Sequence, residues 1–341
     1  MRGDRPGLGI MVTLSGRFTT HWEPTVKRLS GIALVLGIIG LVSPAPVFAA
    51  VPDLGDAADF AILAFGTTPG APGIDVSSNS VVGGDVGVGS GGSYSTSASA
   101  QVTGTAFLYQ GIIPTQSGIS STGAFSQGPA TDAYLDDAIA DALAASTSIA
   151  ALPVPLANQF GEVDNDFVDA DNTLDGNGGL NVYSLDKFDL SGTRVLTLTG
   201  GADDYFIFKF NAGGAIELSG ASGIALGPGV VPEHVLYYFS DAGDQLTWFS
   251  NNPFSGTLLA PLRSVKVHGR LVDGAVIANF ADIGSSGDIT YSPFTPPPPP
   301  GECVPGQCPP PPGQPTIPEP GSFLLLGLGL AGLSRRARKI S

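Results

Sequence analysis

The sequence predicts a mainly β protein: an irregular β-solenoid (β-helix) with one flanking α-helix, preceded by an N-terminal signal helix and followed by a short apolar C-terminal helix. Three observations carry that prediction. Of 341 residues, 48 are Gly and 29 Pro while 13% are charged, which favours short strands and tight turns over long helices or disorder. Short apolar runs recur at close intervals between residues 180 and 294. Ahead of them, residues 131–145 form one longer stretch with neither Gly nor Pro and with apolar residues at helical spacing.

Residues 1–50 read as a signal peptide. Lys27 and Arg28 supply its positive region, residues 31–42 its apolar one, and Pro44 and Pro46 end any helix. Small residues at Val47-Phe48-Ala49 predict cleavage after Ala49 or Ala50. Met11 offers an alternative start that gives a leader of more usual length.

Residues 51–294 form the folded cargo, long enough to bury a core without staples. Residues 77–89 alternate valine with small or polar residues and are broken by Gly83, Gly84, Gly87 and Gly89. These glycines are neither a P-loop, since no lysine follows, nor a dinucleotide fingerprint, so they read as turns. In residues 131–145, Leu135, Ile139 and Leu143 recur every four residues beside Ala138 and Ala142, which predicts a helix with one apolar face. Asp132, Asp136 and Asp137 suit its N-terminal dipole, Thr131 is the expected N-cap, and Pro153 and Pro155 finish it.

The densest acidic segment follows, with Asp164, Asp166, Asp169, Asp171 and Asp175 as candidate calcium ligands. Asp171, Thr173, Asp175 and Gly176 imitate the start of an EF-hand loop, but its closing Glu position is Val182. A solvated turn is the plainer reading, so no cofactor is expected and Ca2+ stays an alternative. Strands are then predicted at 182–185, 195–198, 206–210, 215–218, 224–226, 235–239, 246–249, 257–259, 265–267, 275–277 and 289–291. Leu-Ser-Gly closes apolar runs at Leu190 and Leu218, and Leu-Thr-Gly does so at Leu198. Such loose repetition without a strict period suggests stacked coils, with the helix alongside one flank; a sandwich is the alternative.

Ser255-Gly256-Thr257-Leu258-Leu259-Ala260-Pro261, then Val265, Val267, Gly269, Asp273-Gly274-Ala275-Val276-Ile277-Ala278 and Ser292-Pro293-Phe294, resemble the closing segment of choice-of-anchor A domains. Residues 54–66 and Phe206-Ile207-Phe208-Lys209-Phe210 resemble the ice-binding-like β-solenoid family. The resemblance implies an adhesive β-helix flanked by a long helix and brings no catalytic residues. Pro261-Leu262-Arg263 departs from it, where Pro-Asn-Ala is expected.

Residues 295–317 hold eleven prolines and read as a stalk of about 70 Å in polyproline geometry. Cys303 and Cys308 lie within it; a local disulfide is expected after export, with intermolecular pairing as the alternative. Residues 318–341 begin Pro318-Glu319-Pro320, run through eleven apolar residues at 323–333, and end in a cluster containing Arg335, Arg336 and Arg338. That apolar run covers about half of a ~30 Å bilayer core, so it is a stop-and-process signal rather than a permanent span. It resembles the PEP-CTERM tail of exosortase substrates. The resemblance implies export by the Sec machinery, transient membrane insertion of the tail, handling by exosortase, and release to the cell surface or medium through an inner-membrane intermediate.

Between residues 51 and 320 six cations face twenty-eight acids, a net of −22. That field repels nucleic acid and anionic lipid. Asp203 with Asp204, and Asp241 with Asp244, are the carboxylate pairs a glycosidase would need, and His234 and His268 lack a nucleophile nearby in sequence. Tyr237, Tyr238, Phe239, Trp248 and Phe249 read as core aromatics, with glycan stacking the alternative, and Thr197-Leu198-Thr199 is a Thr-x-Thr step without the dense ladder that ice binding would favour. The expected function is a non-enzymatic surface adhesin partnered by extracellular polysaccharide or matrix. Ice binding is the alternative, and a carbohydrate-active enzyme the third reading.

Overall fold

The computed structural model describes residues 50–66, 73–164, 173–250 and 254–297. Every strand pairing among them is parallel, as stacked coils require, and each coil contributes up to three runs, one to each flank of a solenoid. The chain starts in the middle of the stack. The opening coil holds β1 (Ile62–Ala64), β2 (Ile74–Val76) and β3 (Val81–Gly83); β4 (Val86–Val88), β5 (Tyr94–Thr96), β6 (Gln101–Leu108), β7 (Thr115–Gln116) and β8 (Ser121–Ser126) build outward from it. Here the period is regular: Ile74 pairs with Tyr94, Val81 with Gln101, Val86 with Ala106, Ser95 with Thr115 and Gln101 with Ser121, a step of 20 residues, which drops to 19 only where β6 meets the second half of β8, Ala106 pairing with Phe125. The same corner repeats with it. Left-handed backbone occurs at Ser78 and Asn79, at Ala98 and Ser99, and at Gly118.

Helix α1 (Pro129–Ala151) then carries the chain back along the stack. From the far end, β9 (Glu162–Asp164), β10 (Thr173–Asp175), β11 (Leu180–Leu190), β12 (Val195–Thr199), β13 (Tyr205–Gly220), β14 (Gly223–Leu226), β15 (Val235–Phe239), β16 (Leu246–Ser250), β17 (Thr257–Gly274) and β18 (Val276–Tyr291) build back toward the middle. The final coil docks on the opening one: β18 pairs with β17 on one side and with β1, β2 and β3 on the other. Several predicted strands are therefore runs of one bent strand; 206–210 joins 215–218 in β13, and 257–259 joins 265–267 in β17. The Leu-Ser-Gly repeats are stacked corners. Leu190 pairs with Leu218, and Gly192 and Gly220 both turn with positive φ, Ala221 N–H bonding Gly192 O at 2.7 Å.

Coil size sets what fills the interior. The 20-residue coils enclose chiefly Ile74, Val76, Val82, Val86 and Val88 with Tyr94 among them, whereas the longer coils are filled by stacked aromatics. Tyr183, Phe208, Tyr237 and Phe254 stack at 5.3, 5.2 and 4.3 Å between centroids, and Phe210 lies 4.1 Å from Phe239. Tyr237, Tyr238 and Phe239 are all buried, so glycan stacking on them is excluded.

The helix departs from expectation at both ends. It begins at Pro129, and Thr131, the expected cap, is a buried residue of the first turn whose hydroxyl bonds Ser126 at 2.8 Å. Gly128 holds the cap position because the chain enters at φ 125°, which a β-carbon disfavours. The buried stripe is Thr131, Leu135, Ala138, Ala142, Ala145 and Ile149, with Leu143 44% exposed. The four-residue spacing of Leu135, Ile139 and Leu143 drifts off a 3.6-residue helix, and the alanines hold the centre of the contact.

Candidate binding faces

The first flank is closed by α1. Across it run Lys209, Tyr238, Leu259, Ile277, Leu63, Gly87 and Phe107, one on each of seven neighbouring strands. Seven strands span about 29 Å and a 23-residue helix about 34 Å, so the helix covers the row. Lys209 Nζ donates to Ala150 O at 2.8 Å and Leu152 O at 2.9 Å, capping the helix C-terminus, and Ser146 meets the Tyr238 hydroxyl at 3.0 Å. At its middle Asp141 accepts from Asp56 N, and near the other end Tyr134 donates to Asp59 at 2.7 Å. Gly87 leaves the room for Leu135; a β-carbon there would sit 2.9 Å from its Cδ2. This flank is structural.

The second flank is a charged ladder over the C-terminal coils. Lys187 gathers Asp189 and Glu217, both at 2.8 Å, with Glu162 at 3.9 Å, and Lys266 pairs with Asp282 at 3.0 Å. Asp75, directly opposite Asp282, accepts from Ser95 Oγ at 2.8 Å, and beyond it the row continues uncharged to Thr115. A cavity of about 550 Å3 opens here, lined by Asp189, Glu217, Asp244, Thr247 and Arg263 among others.

The third flank carries small and hydroxylated side chains, with Asp175 and Asp288 in its rows outside the outer coils. On β10, β12 and β14, Thr173 pairs with Thr197 and Thr197 with Ala225. Further along, Thr290 pairs with Gly83, and Gln101 stands between Val81 and Ser121. Residues 86–131, which build the outer coils and reach into the first turn of α1, contain no Asp, Glu, Lys, Arg or His. The outer end of the solenoid is thus neutral on a strongly acidic protein.

Residues 54–291 match the ice-binding-like adhesive domain, and residues 316–339 match the PEP-CTERM protein-sorting motif. This chain belongs to the ice-binding-like adhesive domain family. Its sorting motif makes it an exosortase-sorted protein of the cell surface or extracellular space. An ice-binding protein from Arctic yeast is 21% identical with a TM-score of 0.51, covering 75% of this chain and 99% of that one. Ice-binding proteins from Antarctomyces psychrotrophicus (21% identical, TM-score 0.45, 70% of this chain and 98% of that one) and Shewanella frigidimarina (20%, 0.47, 72% and 99%) are also similar. The similarity to the yeast protein shows the shared fold. No curated protein sequence matches the chain. The family is adhesive by description, and these three solved proteins are named as ice-binding proteins.

Within the ice-binding-like adhesive domain, the predicted site residues scatter. Asp164 lies on β9 beside Asp189, and Asp175 lies on β10 accepting from Thr199 Oγ1, in different sheets; Asp166, Asp169 and Asp171 lie outside the described residues. Among the described residues no three His, Cys, Asp or Glu side chains gather to hold a metal. Asp204 is a structural acceptor, taking N–H bonds from Gly178 at 2.7 Å, Gly201 at 2.8 Å and Asn181 at 3.0 Å. Burial opposes its ionisation, but these bonds outweigh it and hold the carboxyl below its usual range.

Asp241 is engaged by Gly213 N at 2.7 Å and by Arg263. Arg263, the departure noted in the sequence, is 2% exposed, donates to Gly214 O at 2.5 Å and lies 5.1 Å over the Phe239 ring. His234 stacks on Tyr205 at 4.1 Å, and burial pushes its pKa down. Burial and Lys266 do the same to His268, which lies 4.0 Å from Asp282. Ala50 is exposed at the start of the described chain. Ala49, Cys303, Cys308, Pro318, Glu319, Pro320, Arg335, Arg336 and Arg338 lie outside the described residues.

The 20-residue period and the charge-free block were missed in the sequence. Ser77, Ser97 and Ser117, with Val82, Val102 and Thr122 five residues after each, repeat at 20 and could have revealed the period, and a scan for charge would have revealed the block.

Proposed function

We propose that the domain is a non-enzymatic adhesive module, exported by the Sec machinery, that holds an extended neutral target, extracellular polysaccharide or matrix, against its uncharged coils. The single observation supporting this reading is residues 86–131: forty-six consecutive residues without charge in a folded cargo (residues 51–294) of net −20, stacked with a 20-residue step. Acidic surface stays hydrated and repels anionic polymers, whereas Ser, Thr and Gln rows can exchange water for a partner's hydroxyls at little desolvation cost. Gln101 and Thr103, exposed on the third flank, lie at the centre of that surface.

Ice is the second reading. It is favoured by the regular rows of hydroxyl and small groups, such as Thr290 beside Gly83, and by the ice-binding activity named for the yeast protein of the same fold. One experiment separates the two: retention of the domain on insoluble neutral polysaccharide, in parallel with uptake into a slowly growing ice hemisphere. Retention should fall about tenfold in Gln101→Asp and Thr103→Asp, each placing a charge on the contact. Uptake into ice with no retention would make ice the target; neither would overturn the adhesive reading.

A further inference from the structure

The outer end of the solenoid is an unguarded sheet edge. Among the described strands β7 pairs with β5 and β8 with β6, and nothing covers their other sides. Exposed edges are ordinarily protected from pairing by charged side chains. Here there are none between Asp85 and Asp132, and the terminal coil instead displays Ile113 at 84%, Ile119 at 80% and Phe125 at 43% exposure. The coil is held in shape from within. Thr122 Oγ1 meets the Tyr94 hydroxyl at 2.7 Å and Gln116 Nε2 at 3.0 Å, Ser120 Oγ donates to Thr96 O at 3.1 Å, and Phe125 packs edge-on against Tyr94.

We infer that this end binds a second copy of the same chain, head to head, with β8 pairing antiparallel to its symmetry mate about a two-fold axis. Charge selects this occupant and this geometry. Two cargoes of net −20 (residues 51–294) repel each other over most of their surfaces, and the neutral end is where they can meet without burying like charges. A head-to-tail stack would bring the edge against β9 and β10, where Glu162, Asp164 and Asp175 would be desolvated without new partners. The isologous arrangement avoids that and closes as a dimer rather than a fibre. Two adhesive domains joined in this way would present both sets of uncharged coils side by side and gain avidity for an extended target.

The test is sedimentation equilibrium of residues 50–297, whose core closes on itself as described above, across a wide concentration range. A reversible monomer–dimer equilibrium is expected, tightening as salt screens the acidic remainder, the opposite of an attraction between charges. Ile119→Asp and Ile113→Asp, both at highly exposed positions, should each weaken the dimer about tenfold while leaving the melting curve unchanged. A domain that stays monomeric, or a dimer that both variants leave intact, would overturn the inference. So would a monomeric wild type whose polysaccharide retention is lost in Ile119→Asp, which would assign the edge to the adhesive target instead.

Discussion

Gly87 is where the helix and the sheet come closest, and substituting it tests the packing of the whole first flank. It lies on β4 between Leu63 and Phe107 of the neighbouring strands, directly beneath Leu135 of α1. A β-carbon added there would meet Leu63 Cδ1 at 2.8 Å and both Leu135 Cδ2 and Phe60 Cε1 at 2.9 Å. Three side chains fixed in a close-packed layer must yield, a strain of about 1–3 kcal/mol. Against it stands a gain of about 0.4–1 kcal/mol from a stiffer unfolded chain. Gly87→Ala should therefore cost roughly 1–2 kcal/mol and lower Tm by about 3–6 °C in a domain of this size. Gly161, whose added β-carbon would find its nearest atom at 3.8 Å, is the control; Gly161→Ala should be neutral or slightly stabilising. Truncating Leu135 removes one of the colliding atoms, so Gly87→Ala and Leu135→Ala should combine to less than the sum of their separate costs. Thermal melts followed by circular dichroism measure all four variants. A stabilised Gly87→Ala, or strict additivity with Leu135→Ala, would refute the claim that this glycine sets the helix–sheet distance.

Two further predictions concern the carboxylates that might have passed for catalytic groups. Asp204→Asn, which turns an acceptor of three N–H groups into a partial donor, should cost about 2–4 kcal/mol near neutral pH in urea denaturation. The folded value of Asp204 is depressed, so its contribution is present above the unfolded value of about 3.9 and is lost as pH falls through the folded value; the difference between variant and wild type should shrink there, and a gap unchanged into strong acid would contradict the assignment. Arg263→Ala should cost about 3 kcal/mol by stripping Asp241 and Gly214 O of their buried donor. Arg263→Lys should recover less than half of that, because one ammonium cannot span both acceptors and lie over Phe239; full recovery would reduce the residue to a simple charge.

How far the fold could be read from the sequence depended on how local each signal was. The strands of the C-terminal half were readable because each apolar run packs into the interior where it stands: Val235–Phe239 is buried throughout. The helix was readable as an element but not in its details. Its apolar leucines suggested a stripe through Leu143, whereas the sheet accepts alanines, since the row on the sheet already supplies Tyr238, Leu259 and Ile277 as bulk. Carboxylate pairs could not be resolved at all. Asp203 and Asp204 are equivalent in sequence, yet one accepts from two turn N–H groups and the Asn181 amide and is buried while its neighbour is exposed.

By itself the sequence determined the sorting route and the class: the charge asymmetry, the C-terminal sorting motif and the run of short strands are properties of composition and local order, which need no partner to be read. Tertiary structure alone decided the order of the coils. The stack starts in its middle, grows outward by 20 residues a turn, returns through a helix, and closes β18 onto β1, β2 and β3. It also turned a stretch without charges into one bare end of the molecule. Parallel pairing joins residues far apart in sequence, as with Ile62 and Val276, and the free energy that selects such a register lies in an interior that exists only once the coils are stacked.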